Sequence, residues 1–263
     1  TTLASSAAAD DGNNIFTTLI PITAFTAGSN TVAVEIHQSA GNSSDISFDL
    51  ELIAKDASSL ASLSRGPYWQ MVSGTAATLR WRTDVATNSR VEIGTQFGTY
   101  TQTFSDPAST TEHEIRITGL SADTRYYYRF GNSSRFLQEA SDNFIVTAPP
   151  AATNRKVRVA VFGDCGRNDN AYQNMTLSAY LNYMGATPAE LMLLLGDNAY
   201  NSGTDAEYQS NFFNIYSGSI LKNHALFPAP GNHDYANTAA RQADKNVPYY
   251  ANFTLPTSAQ CGG

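Results

Sequence analysis

The chain has 263 residues, of which 42% are hydrophobic and 15% are charged, with a formal net charge of -7 and an isoelectric point near 5.0. This length accommodates two domains at about 100–200 residues each. The acidic balance, without a run of Lys and Arg, argues against a nucleic-acid-binding protein, and no apolar run approaches the roughly 20 residues that cross a bilayer.

Residues 1–56 predict β-structure. Apolar side chains alternate with small or polar ones in residues 31–37 and again in residues 46–52, and a period of two is typical of half-buried strands. A segment of this size is too short for a stable sandwich of its own. Residues 30–37 and 43–49 resemble the last strands of a jelly-roll, galactose-binding-like module, which implies a contact with carbohydrate or with a cell surface.

A second β module is predicted over residues 65–148, after a linker of small residues at 57–64. Trp81 is the expected core residue, and residues 119–126 have the pattern of a tyrosine corner. Short strands separated by Gly, Pro, Asn and Asp predict a sandwich, and the candidate strands are residues 78–82, 90–93, 112–117, 125–130 and 143–147. The module resembles a fibronectin type III-like domain. Its Arg65-Gly-Pro-Tyr opening and residues 126–129 resemble the version that precedes the catalytic domain of purple acid phosphatases.

A third region, residues 156–263, has the alternation of an α/β domain. Apolar runs that end at a glycine predict buried strands, and apolar residues at helical spacing predict helices between them. Thr204 and Glu207 form a capping box that opens a helix to about residue 216. The other predicted elements are strands at 157–162, 190–195 and 225–229 and a helix at 171–184. The fold class is therefore multidomain: all-β sandwich modules followed by an α/β domain.

Each of the three predicted strands ends in a short polar motif. The motifs are Gly163-Asp-Cys-Gly, Gly196-Asp-Asn-Ala-Tyr and Gly231-Asn-His-Asp. Asp164 and Asp197 lie 33 residues apart, and Asp197 and Asn232 lie 35 apart, so each interval fits one βα unit. Ligands bind at the carboxyl ends of strands in open α/β sheets. Carboxylate, phenolate, amide and imidazole groups suit iron, manganese or zinc, so the ordered motifs predict a metal site.

This set of motifs resembles the metallophosphoesterase superfamily, and Tyr200 in Gly-Asp-x-x-Tyr narrows the resemblance to purple acid phosphatases. The resemblance implies that Asp164 and Tyr200 bind a first metal ion, that Asp197 bridges two ions, and that Asn232 binds the second. It implies a cofactor of two metal ions, Fe(III) with Fe, Zn or Mn(II). His233 would act as a proton donor or charge stabiliser near the leaving group. Hydroxide held by the metals would hydrolyse a phosphate monoester, so the expected partner is a small phosphate ester.

The chain departs from the family pattern in two ways. Asp234 stands where the purple acid phosphatases usually have Glu. The later family motifs Val-x-x-His and Gly-His-x-His do not occur before Gly263, so three expected histidine ligands are missing. The resemblance therefore implies a truncated catalytic domain, with residues 156–263 as its first half. We expect such a fragment to bind metal weakly and to turn over slowly.

The remaining histidines and cysteines are expected to be structural. His37 and His113 lie in predicted strands and His224 matches no family ligand, so we expect the first two on strand faces and the third on the surface. Cys165 is expected to be a small buried residue rather than a nucleophile. The sequence leaves open whether Cys165 and Cys261 are free or bridged.

Two other functions stay open. A phosphodiesterase or nucleotidase could use the same metal site, and a non-catalytic, secreted carbohydrate-binding or adhesive protein could carry a phosphatase domain without metals. The β modules and the low charged content, against roughly 25% in an average soluble domain, favour a secreted or cell-surface protein, extracellular or periplasmic.

Overall fold

The computed structural model describes residues 61–257 and, before them, residues 18, 20, 24–26, 28–33 and 52. The chain divides into two compact units, Thr1–Ala54 and Lys55–Gly263. Most of the jelly-roll strands predicted at 31–37 and 46–52 therefore lie outside the described residues, as do His37 and Cys261.

An all-β half begins the second unit. Its strands are β1 (Leu63–Gln70), β2 (Ala76–Gly94), β3 (Gln102–Thr118), β4 (Arg125–Gly131) and β5 (Phe136–Val146). All five predicted strands are found, but residues 78–82 and 90–93 belong to one long strand, β2. The antiparallel partner β3 runs along one edge of β2, whereas β1 and β4 share its other edge. Strand β1 pairs with residues 78–83 of β2, and β4 pairs with residues 90–94. Between these two stretches, near Thr87, the register of β2 against β3 shifts.

The core of the all-β half follows the sequence prediction. Trp81 is buried beside Leu79, Ile93, Ile117 and Phe130. The Tyr126 hydroxyl accepts a hydrogen bond from the Ser121 backbone N–H at 2.9 Å, which is the contact that defines a tyrosine corner.

An α/β half follows. Its strands are β6 (Val159–Phe162), β7 (Leu191–Leu195) and β8 (Ala225–Ala229), which pair in parallel in that order. Its helices are α1 (Asn170–Met184), α2 (Asp205–Tyr208), α3 (Asn214–Tyr216), α4 (Ala239–Asp244) and α5 (Pro248–Asn252). The predicted capping box is present, with the Thr204 side chain accepting the Glu207 N–H. The predicted helix contains a π-helical turn at Gln209–Phe213, and a second such turn at Ser217–Leu221 extends the helical segment beyond the predicted end.

The two halves share one sheet, which the sequence did not predict. Strand β1 pairs in parallel with β8, so the described strands run β5-β4-β2-β1-β8-β7-β6. Adjacent β1 residues face opposite sides of the sheet: Tyr68 lies in the core of the α/β half and Trp69 in the core of the all-β half. Strand β1 thereby stabilises both cores at once.

Polar contacts reinforce this connection near the start of α2. The Arg82 guanidinium makes two bonds to the Asp205 carboxylate, at 2.6 and 2.9 Å. The buried Arg65 side chain contacts the same carboxylate at 3.0 Å and also binds Gln209 and Asn252. These cations lower the pKa of Asp205 to about 2.

The prediction that His224 lies on the surface is wrong. Its side chain is 1% exposed, and its ring binds the Tyr180 hydroxyl at 2.8 Å and the Asn223 side chain at 2.6 Å. The residue precedes β8, where α1 and the second π-helical turn pack over it. Burial lowers the pKa of His224 to about 4.

Two smaller expectations can be compared with the structure. His113 lies on β3 as predicted, buried between Thr83 and Ser89, and burial lowers its pKa to about 4. Cys165 is buried and unbridged, and burial raises the pKa of its thiol. Within the described residues, no helix is both long and apolar enough to span a membrane.

Candidate metal centre

Three polar loops meet at one edge of the parallel sheet. Asp164 follows β6, Asp197 follows β7, and Asn232 follows β8, each within three residues of the end of its strand. Because these strands are parallel and adjacent, their carboxyl ends lie side by side. The sheet thus places the three sequence motifs together.

The backbone turns sharply at both aspartates. Asp164 has a φ of 54° and Asp197 a φ of 56°, in the left-handed region that Asp tolerates better than most residues. The loops are then bonded to each other: the Asp164 N–H donates to the Gly196 carbonyl at 3.1 Å, and the Tyr200 N–H donates to the Gly166 carbonyl at 2.9 Å. The first two motifs therefore hold their aspartates at fixed positions.

Two glycines permit this close approach. A Cβ on Gly166 would lie 1.7 Å from the Asn198 carbonyl oxygen, and a Cβ on Gly231 would lie 2.2 Å from Asp197 Oδ1. Neither distance is possible for real atoms, so both positions require glycine. This requirement gives a physical reason for a glycine in the first motif and in the third.

The Tyr200 hydroxyl joins the two aspartates. It contacts the Asp164 carboxylate and lies 3.0 Å from Asp197 Oδ2. Asp164 is exposed, whereas Asp197 and Tyr200 are half-buried. Burial, followed by the two carboxylates, raises the pKa of Tyr200, so the phenol keeps its single proton, which the two carboxylates share as acceptors.

His233 completes this group. Its backbone N–H donates to Asp197 Oδ1 at 2.9 Å, and its ring packs on the Tyr200 ring with centroids 4.1 Å apart. Its Nδ1 lies 2.7 Å from the carbonyl oxygen of Asn201. A carbonyl only accepts, so Nδ1 carries the proton and Nε2 is the nitrogen left without a partner among the described residues.

Asn232 is adjacent but separate. Its side chain is exposed and, within the described part of the chain, is not hydrogen-bonded to Asp164, Asp197 or Tyr200; its amide nitrogen donates instead to Asn237 Oδ1. The structure therefore brings Asp164, Asp197, Tyr200 and His233 into direct contact and leaves Asn232 at their margin.

Asp234, which stands where the purple acid phosphatases usually have Glu, is buried and hydrogen-bonded to neighbouring segments. Its carboxylate accepts the Gly231 N–H at 2.7 Å, the Asn198 N–H at 3.2 Å and the Tyr208 hydroxyl. These bonds connect the loop after β7, the loop after β8 and helix α2. Burial raises the pKa of Asp234.

The donor set suits a hard cation. Two carboxylates surround one phenol oxygen, and within the described residues neither Asp164 nor Asp197 forms an ion pair with Lys or Arg. Oxygen ligands of this kind suit iron and manganese. Within the part of the chain that the structure describes, no three side chains of His, Cys, Asp or Glu lie together in a way that could hold a metal ion.

A cleft of about 550 Å³ opens beside Asp164. The residues that line it include Arg167, Asp169, Tyr172 and Thr176, from the loop after β6 and the first turns of α1. None of them was predicted as a site residue, because neither the loop after β6 nor the start of α1 carries a sequence pattern that indicates a cleft. Asn201 and Asn237 were also missed, since they lie in loops without a periodic pattern.

Comparisons with known proteins agree with this layout. Residues 67–148 match the model of the purple acid phosphatase N-terminal domain, and residues 157–262 match the model of the calcineurin-like phosphoesterases. Purple acid phosphatase 15 of Arabidopsis thaliana is 30% identical over 106 residues, which are 38% of this chain and 19% of that protein.

A solved structure of PhoD shows the same fold. It is similar over 70% of this chain and 41% of that chain, with 15% identity and a TM-score of 0.50. The chain thus spans less than half the length of either relative. With an all-β half followed by an α/β half, and with the two family models matching in that order, residues 67–262 are similar to the purple acid phosphatases and to the calcineurin-like phosphoesterases.

Proposed function

We propose that this chain supplies the active site for hydrolysis of phosphate monoesters at a centre of two metal ions. One observation carries the proposal: the Asp164 and Asp197 carboxylates converge on the Tyr200 hydroxyl at the carboxyl edge of the sheet. Carboxylates without cationic partners repel each other, and bound metal ions relieve that repulsion.

The proposed ligands follow from position. Asp164 and Tyr200 would hold one ion, Asn232 the other, and Asp197, which lies between the first and third loops, would bind both. The proposed pair is Fe(III) with Fe, Zn or Mn(II). Two such ions supply positive charge at the phosphoryl group and make water nucleophilic at neutral pH.

His233 would act on the leaving group. Its Nδ1–H is engaged by the Asn201 carbonyl, so Nε2 is the nitrogen available to a substrate. A protonated Nε2 beside the ester oxygen would donate its proton as the bond to phosphorus breaks. The contact of the ring with Tyr200 holds it beside the proposed ligands.

The cleft beside Asp164 would bind the phosphate ester. Arg167 places a guanidinium in its lining, and Tyr172 and Thr176 add an aromatic ring and a hydroxyl. Arginine is well suited to phosphate oxygens because its planar fork donates two parallel bonds.

We also propose secretion or display at a cell surface, with residues 1–56 contacting carbohydrate.

The test compares the hydrolysis of an aryl phosphate with that of its bis-ester. It uses wild-type protein loaded with iron, either alone or together with zinc or manganese. We expect the monoester to be hydrolysed at least ten times faster, and Asp164→Asn to abolish the difference. A preference for the bis-ester would replace the proposal by a phosphodiesterase. No hydrolysis of either ester by metal-loaded protein would refute a catalytic function.

A further inference from the structure

The side chain of Asn237 lies against both functional groups of the third motif. Its Oδ1 accepts a hydrogen bond from the Asn232 amide nitrogen. Its Nδ2 lies 3.4 Å from the Asn201 carbonyl oxygen and 3.1 Å from His233 Nδ1. One exposed carboxamide thus touches a proposed metal ligand and the ring of the proposed proton donor.

The contact with Asn232 fixes which end of that amide faces outward. A carboxamide is planar, so a bond that engages its nitrogen also sets the direction of its oxygen. Asn232 Oδ1 has no protein partner among the described residues. The amide oxygen is the atom that binds a metal ion, and the bond from the amide nitrogen to Asn237 leaves that oxygen available.

The contact with His233 acts through a shared acceptor. His233 Nδ1–H donates to the Asn201 carbonyl at 2.7 Å, and the Asn237 amide approaches the same oxygen. Two donors on one carbonyl restrict rotation of the imidazole about its χ2 bond. The ring packs on Tyr200, and the shared carbonyl oxygen of Asn201 links it to Asn237.

Asn237 is suited to this role by its backbone as well. Its φ is 55°, in the left-handed region that Asn enters more readily than most residues, and its N–H donates to the Asn232 carbonyl at 2.9 Å. That backbone bond alone would close the loop. The side-chain contacts go beyond what loop closure requires.

We infer that Asn237 is a positioning residue that orients the Asn232 amide oxygen toward a metal ion and holds the His233 ring beside it. The inference rests on the ligand role proposed for Asn232. Partners that orient a metal ligand from outside the coordination sphere commonly change metal affinity by about 10–100-fold when they are removed.

The test uses the Asn232 side-chain amide signals in the ¹H–¹⁵N spectrum of metal-free protein, and calorimetric titration with Zn²⁺ alone. Asn237→Ala should broaden or shift the Asn232 signals toward those of an exposed amide and weaken Zn²⁺ binding by about tenfold or more. Lys245→Ala is the matched control, because Lys245 has a φ of 56° and lies outside the site; it should change neither. Asn237→Asp keeps the accepting oxygen and should restore the Asn232 signals.

The outcomes separate this inference from the proposed function. Unchanged Asn232 signals in Asn237→Ala, or Zn²⁺ affinity equal to that of Lys245→Ala, would overturn the inference. If wild-type protein binds no Zn²⁺, the proposed metal centre fails, and the amide signals still decide whether Asn237 orients Asn232.

Discussion

The conformation of single residues decides the geometry of the candidate centre. Asp164 and Asp197 both have left-handed backbones, and Gly166 and Gly231 let neighbouring loops touch them. The motif residues were predictable from the sequence because each follows an apolar run that ends at glycine. Their roles as ligands stay predictions. Asn201 and Asn237 were not predictable, because their contacts depend on how two loops fold against each other.

At the residue scale, Gly231→Ala should damage both the fold and the site. The new Cβ would lie 2.2 Å from Asp197 Oδ1 and 2.5 Å from its backbone nitrogen, so one loop must move. We expect a loss of about 2–4 kcal/mol in unfolding free energy, from overpacking and displaced hydrogen bonds. Denaturant unfolding measures this loss. Gly218→Ala is the control, because its Cβ would meet nothing within 4 Å, and equal losses in both variants would contradict the prediction.

At the scale of elements, patterns within short stretches of sequence predicted helices and strands. The pairing of strands that are distant in sequence was not predicted. The capping box at Thr204 and strand β8 were found as predicted. Strand β1 was missed because Gly66 and Pro67 interrupt its pattern; the strand tolerates them through irregular register on either side of Arg65. The parallel pairing of β1 with β8 joins residues far apart in sequence, and no local pattern indicates it.

The connection between the halves is testable at Arg65. Its guanidinium is buried and bonded to Gln209, Asn252 and Asp205, so its removal leaves several polar groups without partners. Arg65→Ala should lower the unfolding free energy by about 2–3 kcal/mol. This loss is smaller than the cost of breaking a fully buried ion pair, because the Asp205 side chain is half exposed.

Chemical denaturation of Arg65→Ala alongside Lys156→Ala measures this effect. Lys156 is exposed, so its replacement should stay within about 0.5 kcal/mol of wild type. Equal stability of the two variants would show that Arg65 does not stabilise the connection.

At the scale of the whole molecule, two buried histidines make stability depend on pH. His113 lies in the all-β half and His224 beneath α1, and burial lowers the pKa of each to about 4. An unfolded histidine has a pKa near 6.5, so the unfolded chain binds more protons between these values. The unfolding free energy should therefore fall as pH drops from about 6.5 toward 4, by up to about 1.4 kcal/mol per pH unit for each histidine.

Unfolding at pH 7.5, 6.5 and 5.5 tests this dependence while most carboxylates stay ionised. His224→Gln should show a shallower decrease than wild type, because one of the two titrating groups is gone. A wild-type protein equally stable at pH 7.5 and 5.5 would contradict the burial of both rings.

The two halves contribute differently to function at this scale. The all-β half supplies β1, which completes the sheet beside β8, and supplies Arg65 and Arg82, which hold the start of α2. The α/β half carries every proposed ligand. The sequence predicted both halves from their different periodicities, but not that they share a sheet.

The central claim is that Asp164, Asp197 and Tyr200 form a metal centre, and equilibrium metal binding tests it most directly. We would measure Mn²⁺ and Zn²⁺ stoichiometry and affinity for wild-type protein and for Asp197→Asn, together with their stability without metal. We predict weak binding of metal by the wild-type chain, in line with the three expected histidine ligands that it lacks, and at least about a hundredfold weaker binding in Asp197→Asn, with its metal-free stability unchanged or raised because a carboxylate repulsion is removed. Equal stoichiometry and affinity in the two proteins would contradict the account.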